Sequence, residues 1–232
     1  MSNILYYKLL EACRERGCPV CRVEAQSVER HIENQFYENV NSPKWRDRLR
    51  LSLGFCREHA WLAVDKRLGD ALGFSIIYRD VVNSVLSRME QEGDLPRPRL
   101  RQVPEQVRSM AEKLLYAITA SRPCPICEYR DDTRLTILSV LVAGLKKQEL
   151  VDALRASDGF CILHLQKSVE QVKDVSVSHA LLTIHQERLE KLRAELMEFI
   201  RKNDYQAADE GFGAEGDAWL RAVTLVVGAR RV

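Results

Sequence analysis

The sequence has no long hydrophobic run, little net charge and few residues that break regular structure. No stretch reaches the roughly 18 apolar residues of a membrane span, and residues 1–10 lack the features of a signal peptide. A formal net charge of +2 over 232 residues gives no strong field for an anionic partner. Only 7 prolines and 11 glycines, beside 46% hydrophobic residues, exclude a low-complexity chain. These absences predict a globular cytoplasmic protein that does not bind membranes.

The chain contains seven cysteines, an odd number. Structural disulfides are rare in the reducing cytoplasm. The cysteines are therefore expected to bind metal as thiolates rather than to pair with one another.

One ten-residue pattern occurs twice. Arg50–His59 is RLSLGFCREH and Arg155–His164 is RASDGFCILH, an offset of 155 − 50 = 105 residues. A Cys-Pro-x-Cys motif precedes each copy, at Cys18 and Cys124, with an offset of 124 − 18 = 106 residues. Register kept over so long a unit predicts two related modules.

The prolines between the two copies mark a linker, because proline removes a backbone donor and restricts the preceding residue. The predicted organisation is a first module at 1–92, a linker at 93–107 and a second module at 108–175. A C-terminal helix, an acidic loop and a last short helix, Ala218 to Val227, are expected within 176–232.

Hydrophobic residues recur at helical spacing, as in Val28, Ile32 and Phe36, and no strand-like alternation is evident. The predicted fold class is therefore all-α, with two pseudo-repeated helical modules and a long C-terminal helix.

Gly54 and Gly159 are expected at turns that require a left-handed backbone, each just before a helix that starts at the next cysteine. An apolar stripe on the long helix predicts core packing or, alternatively, a short dimeric coiled coil. It comprises Leu182, His185, Leu189, Leu192, Leu196 and Phe199.

Each module contains four residues that suit a tetrahedral metal site. The Cys-Pro-x-Cys and Cys-x-x-His pairs are separated by 34 residues in the first module and 33 in the second. Two ligands three residues apart at a helix start can face one point, and two such pairs complete a Cys3His site. Each module is therefore predicted to close its own site. The predicted ligand sets are Cys18, Cys21, Cys56 and His59, and Cys124, Cys127, Cys161 and His164.

The expected cofactors are two zinc ions, with iron–sulfur clusters as the alternative, because both suit sulfur-rich four-coordinate sites. Buried cysteines that bind nothing would not explain ligands in duplicated order. A thioredoxin-like motif would need a βαβ pattern, which is absent, and covalent haem would need histidine where Arg22 and Glu128 stand.

Other polar residues give weaker signals. Cys13 has no counterpart in the second module and is expected in the core. Arg50 and Arg155 either support the metal ligands through hydrogen bonds or lie on the surface. Basic clusters at 44–50 and 97–101 lack interleaved aromatic residues, so nucleic-acid binding is possible but not favoured.

The duplicated Cys-Pro-x-Cys and Gly-Phe-Cys-x-x-His motifs resemble those of a bacterial family catalogued only as a domain of unknown function. The segments FIRKNDY at Phe199–Tyr205 and DAWLRAV at Asp217–Val223 add to the resemblance, which covers nearly the whole chain. The resemblance implies a bacterial, cytosolic, metal-binding protein and indicates no reaction.

Three functions remain open. A non-catalytic scaffold stabilised by structural zinc, which binds an unknown protein partner, is favoured because four protein ligands leave no position for substrate. An iron–sulfur redox sensor, metal sensor or electron carrier is the alternative. An enzyme with a site between the modules would use the acidic tail, including Asp204, Tyr205, Asp209, Glu210 and Asp217. A homodimer through the C-terminal helix is also possible.

Overall fold

The computed structural model describes residues 2–91 and 104–229. These residues form eleven α-helices and one 3-10 helix, and no strand occurs among them, so the all-α prediction is confirmed. The first five helices are α1 Ser2–Ala12, α2 Pro19–Glu38, α3 Pro43–Leu51, α4 Arg57–Asp65 and α5 Ala71–Gln91. The next five are α6 Pro104–Ile118, α7 Pro125–Gly144, α8 Gln148–Ala156, α9 Ile162–Gln171 and α10 Val175–Lys202. The 3-10 helix Tyr205–Glu210 and α11 Ala218–Val227 complete the chain.

The starting positions of the helices follow the sequence repeat. Helix α7 starts 125 − 19 = 106 residues after α2, and α8 starts 148 − 43 = 105 residues after α3. The corresponding offsets are 162 − 57 = 105 for α9 and 175 − 71 = 104 for α10. Among the described helices, α11 has no partner in this scheme.

The chain divides into two compact units. Unit 1 comprises residues 1–27 and 132–232, and unit 2 comprises residues 28–131. The divisions fall inside α2 and α7, so the units do not coincide with the modules expected at 1–92 and 108–175. Of the expected linker at 93–107, residues up to 103 lie outside the described part of the chain, and the last four begin α6.

The core of unit 1 is largely aliphatic. Leu9, Leu141, Leu150 and Leu181 are fully buried in it, together with Phe160. These side chains come from four helices and the loop before α9, which the hydrophobic effect holds together at roughly 1.5–3 kcal/mol per fully buried large side chain. Cys13 is buried in this core, as expected.

The core of unit 2 contains more aromatic side chains. Phe36 contacts Phe55 and Phe74, with ring centroids 5.9 and 4.4 Å apart, and Trp45 lies 6.3 Å from Phe55. Ile32, on the apolar face expected for α2, is fully buried in the same cluster.

Helix α10 buries one face in unit 1, which includes only His185 and Leu192 of the expected stripe. The buried side chains are Val177, Leu181, Ile184, His185, Arg188 and Leu192. Leu182 and Leu189, from the expected stripe, are 49% and 39% exposed.

The acidic segment contains the 3-10 helix and a loop, and α11 has the expected bounds. Within the described ranges, no helix combines the length and the apolar character needed to span a membrane.

Candidate metal centres

The eight predicted ligands form two clusters, but each cluster combines one pair from each module. The 18–164 site contains Cys18, Cys21, Cys161 and His164, and the 56–127 site contains Cys56, His59, Cys124 and Cys127. In each cluster the four ligand atoms lie within 4.8 Å of one another. This crosswise grouping corrects the prediction that each module closes its own site. The physical reason is that Cys18 and Cys21 fold into unit 1, whereas Cys56 and His59 fold into unit 2.

The 18–164 site has the spacing of a coordination shell. The Sγ atoms of Cys18, Cys21 and Cys161 lie 3.5, 3.3 and 3.2 Å from Nδ1 of His164. The Sγ atoms of Cys21 and Cys161 are 3.7 Å apart. All four residues are buried except Cys21, which is partly exposed.

The 56–127 site repeats this geometry. The Sγ atoms of Cys56, Cys124 and Cys127 lie 3.2, 3.8 and 3.4 Å from Nδ1 of His59. The Sγ atoms of Cys56 and Cys127 are 3.6 Å apart. Here two ligands, Cys56 and Cys127, are partly exposed.

Every ligand lies at the N-terminus of a helix. Cys56 and Cys161 are the N-cap residues of α4 and α9, and Cys18 and Cys124 directly precede α2 and α7. The second ligand of each pair is the third residue of the same helix, which places both side chains on one face of its first turn. Two helix N-termini therefore face each cluster, and their free N–H groups favour the negative charge of thiolates.

The repeated Ser-x-Gly-Phe-Cys segment builds the turn before the ligand helix. Gly54 and Gly159 have φ values of +88° and +82°, which confirms the predicted left-handed backbone. The Ser52 hydroxyl donates to the Gly54 carbonyl, and the Ser157 hydroxyl accepts from the Gly159 N–H, at 2.8 and 3.0 Å. The phenylalanine of each copy is buried in the core of its unit. The motif thus anchors a turn that delivers its cysteine to the start of the next helix.

The sulfur atoms are too close to ionise independently. Burial raises the pKa of the Cys127 thiol to about 12, and burial also raises that of Cys18. Hydrogen bonds from Cys18 and Cys21 lower the pKa of Cys161 to about 3. One thiolate is thus stabilised by its protonated neighbours and opposes their ionisation. A bound cation would supply the positive charge that lets all three ionise.

A carboxylate supports the histidine of the 18–164 site. Nε2 of His164 lies 3.3 Å from Oε2 of Glu24, and Nε and Nη2 of Arg134 donate to Glu24 at 2.6 and 2.9 Å. Burial opposes ionisation of Glu24, but the bonds with His164 and Arg134 prevail and lower its pKa to about 2. If Nδ1 binds a metal, Nε2 must hold the proton, and this carboxylate accepts it and orients the ring.

A second carboxylate joins the two ligand loops of the same site. Asp158 accepts hydrogen bonds from the Gly17 N–H at 2.8 Å and from Nη2 of Arg188 at 2.9 Å. Gly17 directly precedes Cys18, and Asp158 lies three residues before Cys161. Asp158 therefore fixes the approach of both cysteines. Sequence inspection did not indicate this role.

The end of α11 covers the 18–164 site. A Cβ placed on Gly228 would lie 3.7 Å from the Cys161 sulfur and 3.8 Å from the Cys21 sulfur. Gly228 has φ +88° and ends α11 with its N–H bonded to the Thr224 carbonyl. The last helix thus brings backbone into contact with the cluster, which the sequence did not indicate.

The ligand loops of the 56–127 site are joined by main-chain hydrogen bonds. The Leu51 carbonyl accepts from the N–H of Ser121 at 2.9 Å and from the N–H of Arg122 at 3.3 Å. Leu51 is 42% exposed, and Ser121 also lies on the surface. Near the ligands, the Arg130 guanidinium lies 3.5 Å from the carboxylate of Glu58.

Residues 2–231 match the family of unknown function DUF6062. The chain belongs to this family. One relative is the uncharacterized 23.9 kDa protein in the xynA 3′ region of Caldicellulosiruptor sp. (strain Rt8B.4). It is 26% identical over 224 residues, which are 96% of this chain and 100% of the relative. No solved structure matches the chain significantly. The DUF6062 description specifies no reaction, ligand or partner.

The motif arginines pair with carboxylates. Nη1 of Arg50 donates to Asp80 at 3.1 Å, and Nε of Arg155 donates to Glu187 at 3.1 Å on the surface. Arg155 was expected either to support the metal ligands or to lie on the surface, and it lies on the surface.

The sequence did not indicate Glu24 as a functional residue, although Glu24 lies three residues after Cys21, one helical turn along the same face.

Three of the tail carboxylates proposed for catalysis make hydrogen bonds or ion pairs. Asp204 caps the 3-10 helix through the Gln206 N–H, Glu210 pairs with Arg201, and Asp217 pairs with Arg221. Salt-bridged carboxylates are held ionised, which does not suit general acid chemistry.

Proposed function

We propose that this protein binds one zinc ion in each cluster and that the two ions are structural, so that the chain acts as a non-catalytic scaffold. The observation that carries the proposal is the convergence of three sulfur atoms and one imidazole nitrogen in each of two separate clusters.

The spacing favours a single ion over an iron–sulfur cluster. A tetrahedral zinc ion with Zn–S of about 2.3 Å and Zn–N of about 2.0–2.1 Å has S···S edges of roughly 3.8 Å and S···N edges of roughly 3.6 Å. The measured S···S separations are 3.6 and 3.7 Å, and the S···N separations span 3.2 to 3.8 Å. Ligands that bind different iron atoms of one cluster would stand farther apart.

The ligand count favours a structural role. Catalytic zinc keeps a position open for water or substrate, whereas four protein ligands complete the tetrahedron. Both histidines and at least one cysteine of each set are buried, which limits the approach of a substrate.

Each ion would join helices that are distant in sequence. Cys18 and His164 are 146 residues apart, and Cys56 and Cys127 are 71 residues apart. The entropy lost on closing a loop grows only with the logarithm of its length, so a strong bond can offset it. Structural zinc contributes on the order of 10 kcal/mol or more in small peptides, because binding and folding occur together.

Elemental analysis of protein purified without oxygen tests the metal, and chelation tests its role. We expect two zinc ions per chain and a large loss of helical circular dichroism when a strong chelator removes them. Unchanged dichroism and melting temperature after complete removal of both ions would contradict a structural role. Brown protein with iron and visible absorbance would support the sensor or electron-carrier alternative instead.

A scaffold acts through a partner, which we propose to be a protein. Helix α11 presents large apolar side chains that are at least half exposed, including Trp219, Val223 and Val227. Dimerisation through the C-terminal helix stays a prediction that sedimentation of the zinc-loaded chain can test.

A further inference from the structure

The two clusters share their ligands but differ in how their ligand loops are held. We propose, on the basis of the zinc sites proposed above, that the 18–164 site retains its ion longer and that the 56–127 site is the exchangeable one, which releases its ion first. The proposal depends on contacts that exist without an ion.

At the 18–164 site, Asp158 clamps the two ligand loops together. Its carboxylate accepts from the Gly17 N–H, next to Cys18, and from Arg188 of α10. Nε of Arg188 also donates to the Asp158 carbonyl at 3.2 Å, and Arg188 is 8% exposed. Hydrogen bonds to charged groups are roughly twice as strong as neutral ones, and burial protects them from water. The half-sites are therefore assembled before the ion arrives.

Two further contacts protect the same site. Glu24, itself fixed by Arg134, orients the His164 ring, so the imidazole stays in its binding position. The backbone at Gly228 lies over the Cys21 and Cys161 sulfurs, so a chelator has to displace the end of α11 to reach them.

The same clamp is chemically impossible at the 56–127 site. The residue before Cys124 is Pro123, which has no N–H, whereas the residue before Cys18 is Gly17. The residue three positions before Cys56 is Leu53, which has no carboxylate, whereas Asp158 stands before Cys161. Donor and acceptor are thus both missing.

The contacts that join the 56–127 loops are more exposed than the Asp158 clamp. Arg130 pairs with Glu58 and Arg48 pairs with Glu128, whose carboxylates are 41% and 40% exposed, and exposed ion pairs contribute at most about 1 kcal/mol. Leu51 accepts main-chain hydrogen bonds from Ser121 and Arg122 in an exposed position. Such bonds contribute roughly 0.5–1.5 kcal/mol each, and water competes for them at the surface. Separation of these loops therefore costs less than separation of Gly17 from Asp158, so the ion leaves this site faster.

Chelator-dependent alkylation of the zinc-loaded chain tests the order of release. The intact protein is incubated with a chelator, iodoacetamide is added at intervals, and modified cysteines are located by mass spectrometry of tryptic peptides. We expect Cys56, Cys124 and Cys127 to react first. The cysteines of the 18–164 site should follow at a rate 10- to 100-fold lower, the range by which outer contacts change metal affinity.

Cys13 is an internal control, because it is buried in unit 1 and belongs to neither cluster. Trypsin cleaves after Arg14 and Arg16, so Cys13 and Cys18 lie in different peptides and are located separately. Alkylation of Cys13 together with Cys56 would show that unit 1 opens just as early, and would overturn the proposal. Simultaneous release from both sites, or earlier release from the 18–164 site, would also overturn it.

A variant pair tests the clamp itself. Asp158→Ala should accelerate alkylation of Cys18 and Cys161 by 10- to 100-fold and leave Cys56 unchanged. Asp80→Ala is the matched control, because it removes a carboxylate that pairs with Arg46 and Arg50 in unit 2. It should leave Cys18 and Cys161 protected.

An unaltered Cys18 rate in Asp158→Ala would refute the clamp. The failure of the zinc proposal is distinguishable from these results. In that case no metal is found, and the chelator changes the alkylation of neither set.

Discussion

The 18–164 and 56–127 sites place identical ligand types at identical helix positions, yet their surroundings have different chemistry. Gly17, Asp158 and Glu24 at the first site correspond to Pro123, Leu53 and Arg130 at the second. The ligands thus repeat, and the groups that hold the ligands do not. The difference teaches that two sites with the same ligand types can differ in the outer contacts that tune metal affinity.

The largest expected effect tests the crosswise grouping on which this comparison depends. The double variant Cys18→Ser with Cys161→Ser damages one site and should retain one ion per chain. Cys18→Ser with Cys56→Ser damages both sites and should retain none. Elemental analysis measures both, with Cys13→Ser as a control that keeps two ions. The opposite pattern would restore the grouping by sequence module.

Removal of the Glu24 charge should reduce the contrast between the two sites. Glu24→Gln weakens the acceptor for His164 and the pair with Arg134, so zinc affinity at the 18–164 site should fall by roughly 10- to 100-fold. The affinity of the other site should not change. Competition with a chromophoric chelator reports both affinities. Glu187→Gln, which alters an exposed pair with Arg155, should change neither.

The two motif glycines allow a comparison of the turns. Gly159→Ala places a Cβ 3.0 Å from Cγ of Arg188, and Gly54→Ala places one 3.2 Å from Cε1 of Tyr78. Each also forces a left-handed backbone on alanine, so the free energy of unfolding should fall by about 1–3 kcal/mol. Denaturant unfolding should rank Gly159→Ala as more destabilising than Gly54→Ala, because its Cβ meets the closer neighbour.

The smallest effect is expected at the motif arginine of the second copy. Arg155→Ala removes a surface pair with Glu187 whose side chains are about half exposed, so the free energy of unfolding should change by at most about 1 kcal/mol. Zinc content should stay at two ions per chain. Loss of an ion would show that Arg155 supports the ligands after all.

Local features were predictable because they depend on neighbouring residues. The apolar face of α2, the bounds of α11 and the left-handed Gly54 and Gly159 follow from periodicity and turn chemistry. Cys13 was expected in the core because it has no counterpart. Glu24 could have been found from its spacing to Cys21.

Asp158, Arg188 and Gly228 could not be found in the same way. Asp158 contacts Gly17 from 141 residues away, and Arg188 contacts Asp158 from 30 residues away. Gly228 meets Cys21 from the far end of the chain. No local pattern marks such contacts, because they arise only when separate helices pack against one another.

The sequence alone determined that Cys18 with Cys21, and His59 with Cys56, would form ligand pairs at helix starts, because a spacing of three is a property of one helical turn. Only the tertiary structure decided which pair meets which. Both modules offer the same kinds of pair, so either grouping satisfies a Cys3His site. The packing of α2 with α9 in unit 1, and of α4 with α7 in unit 2, selects the grouping across the modules.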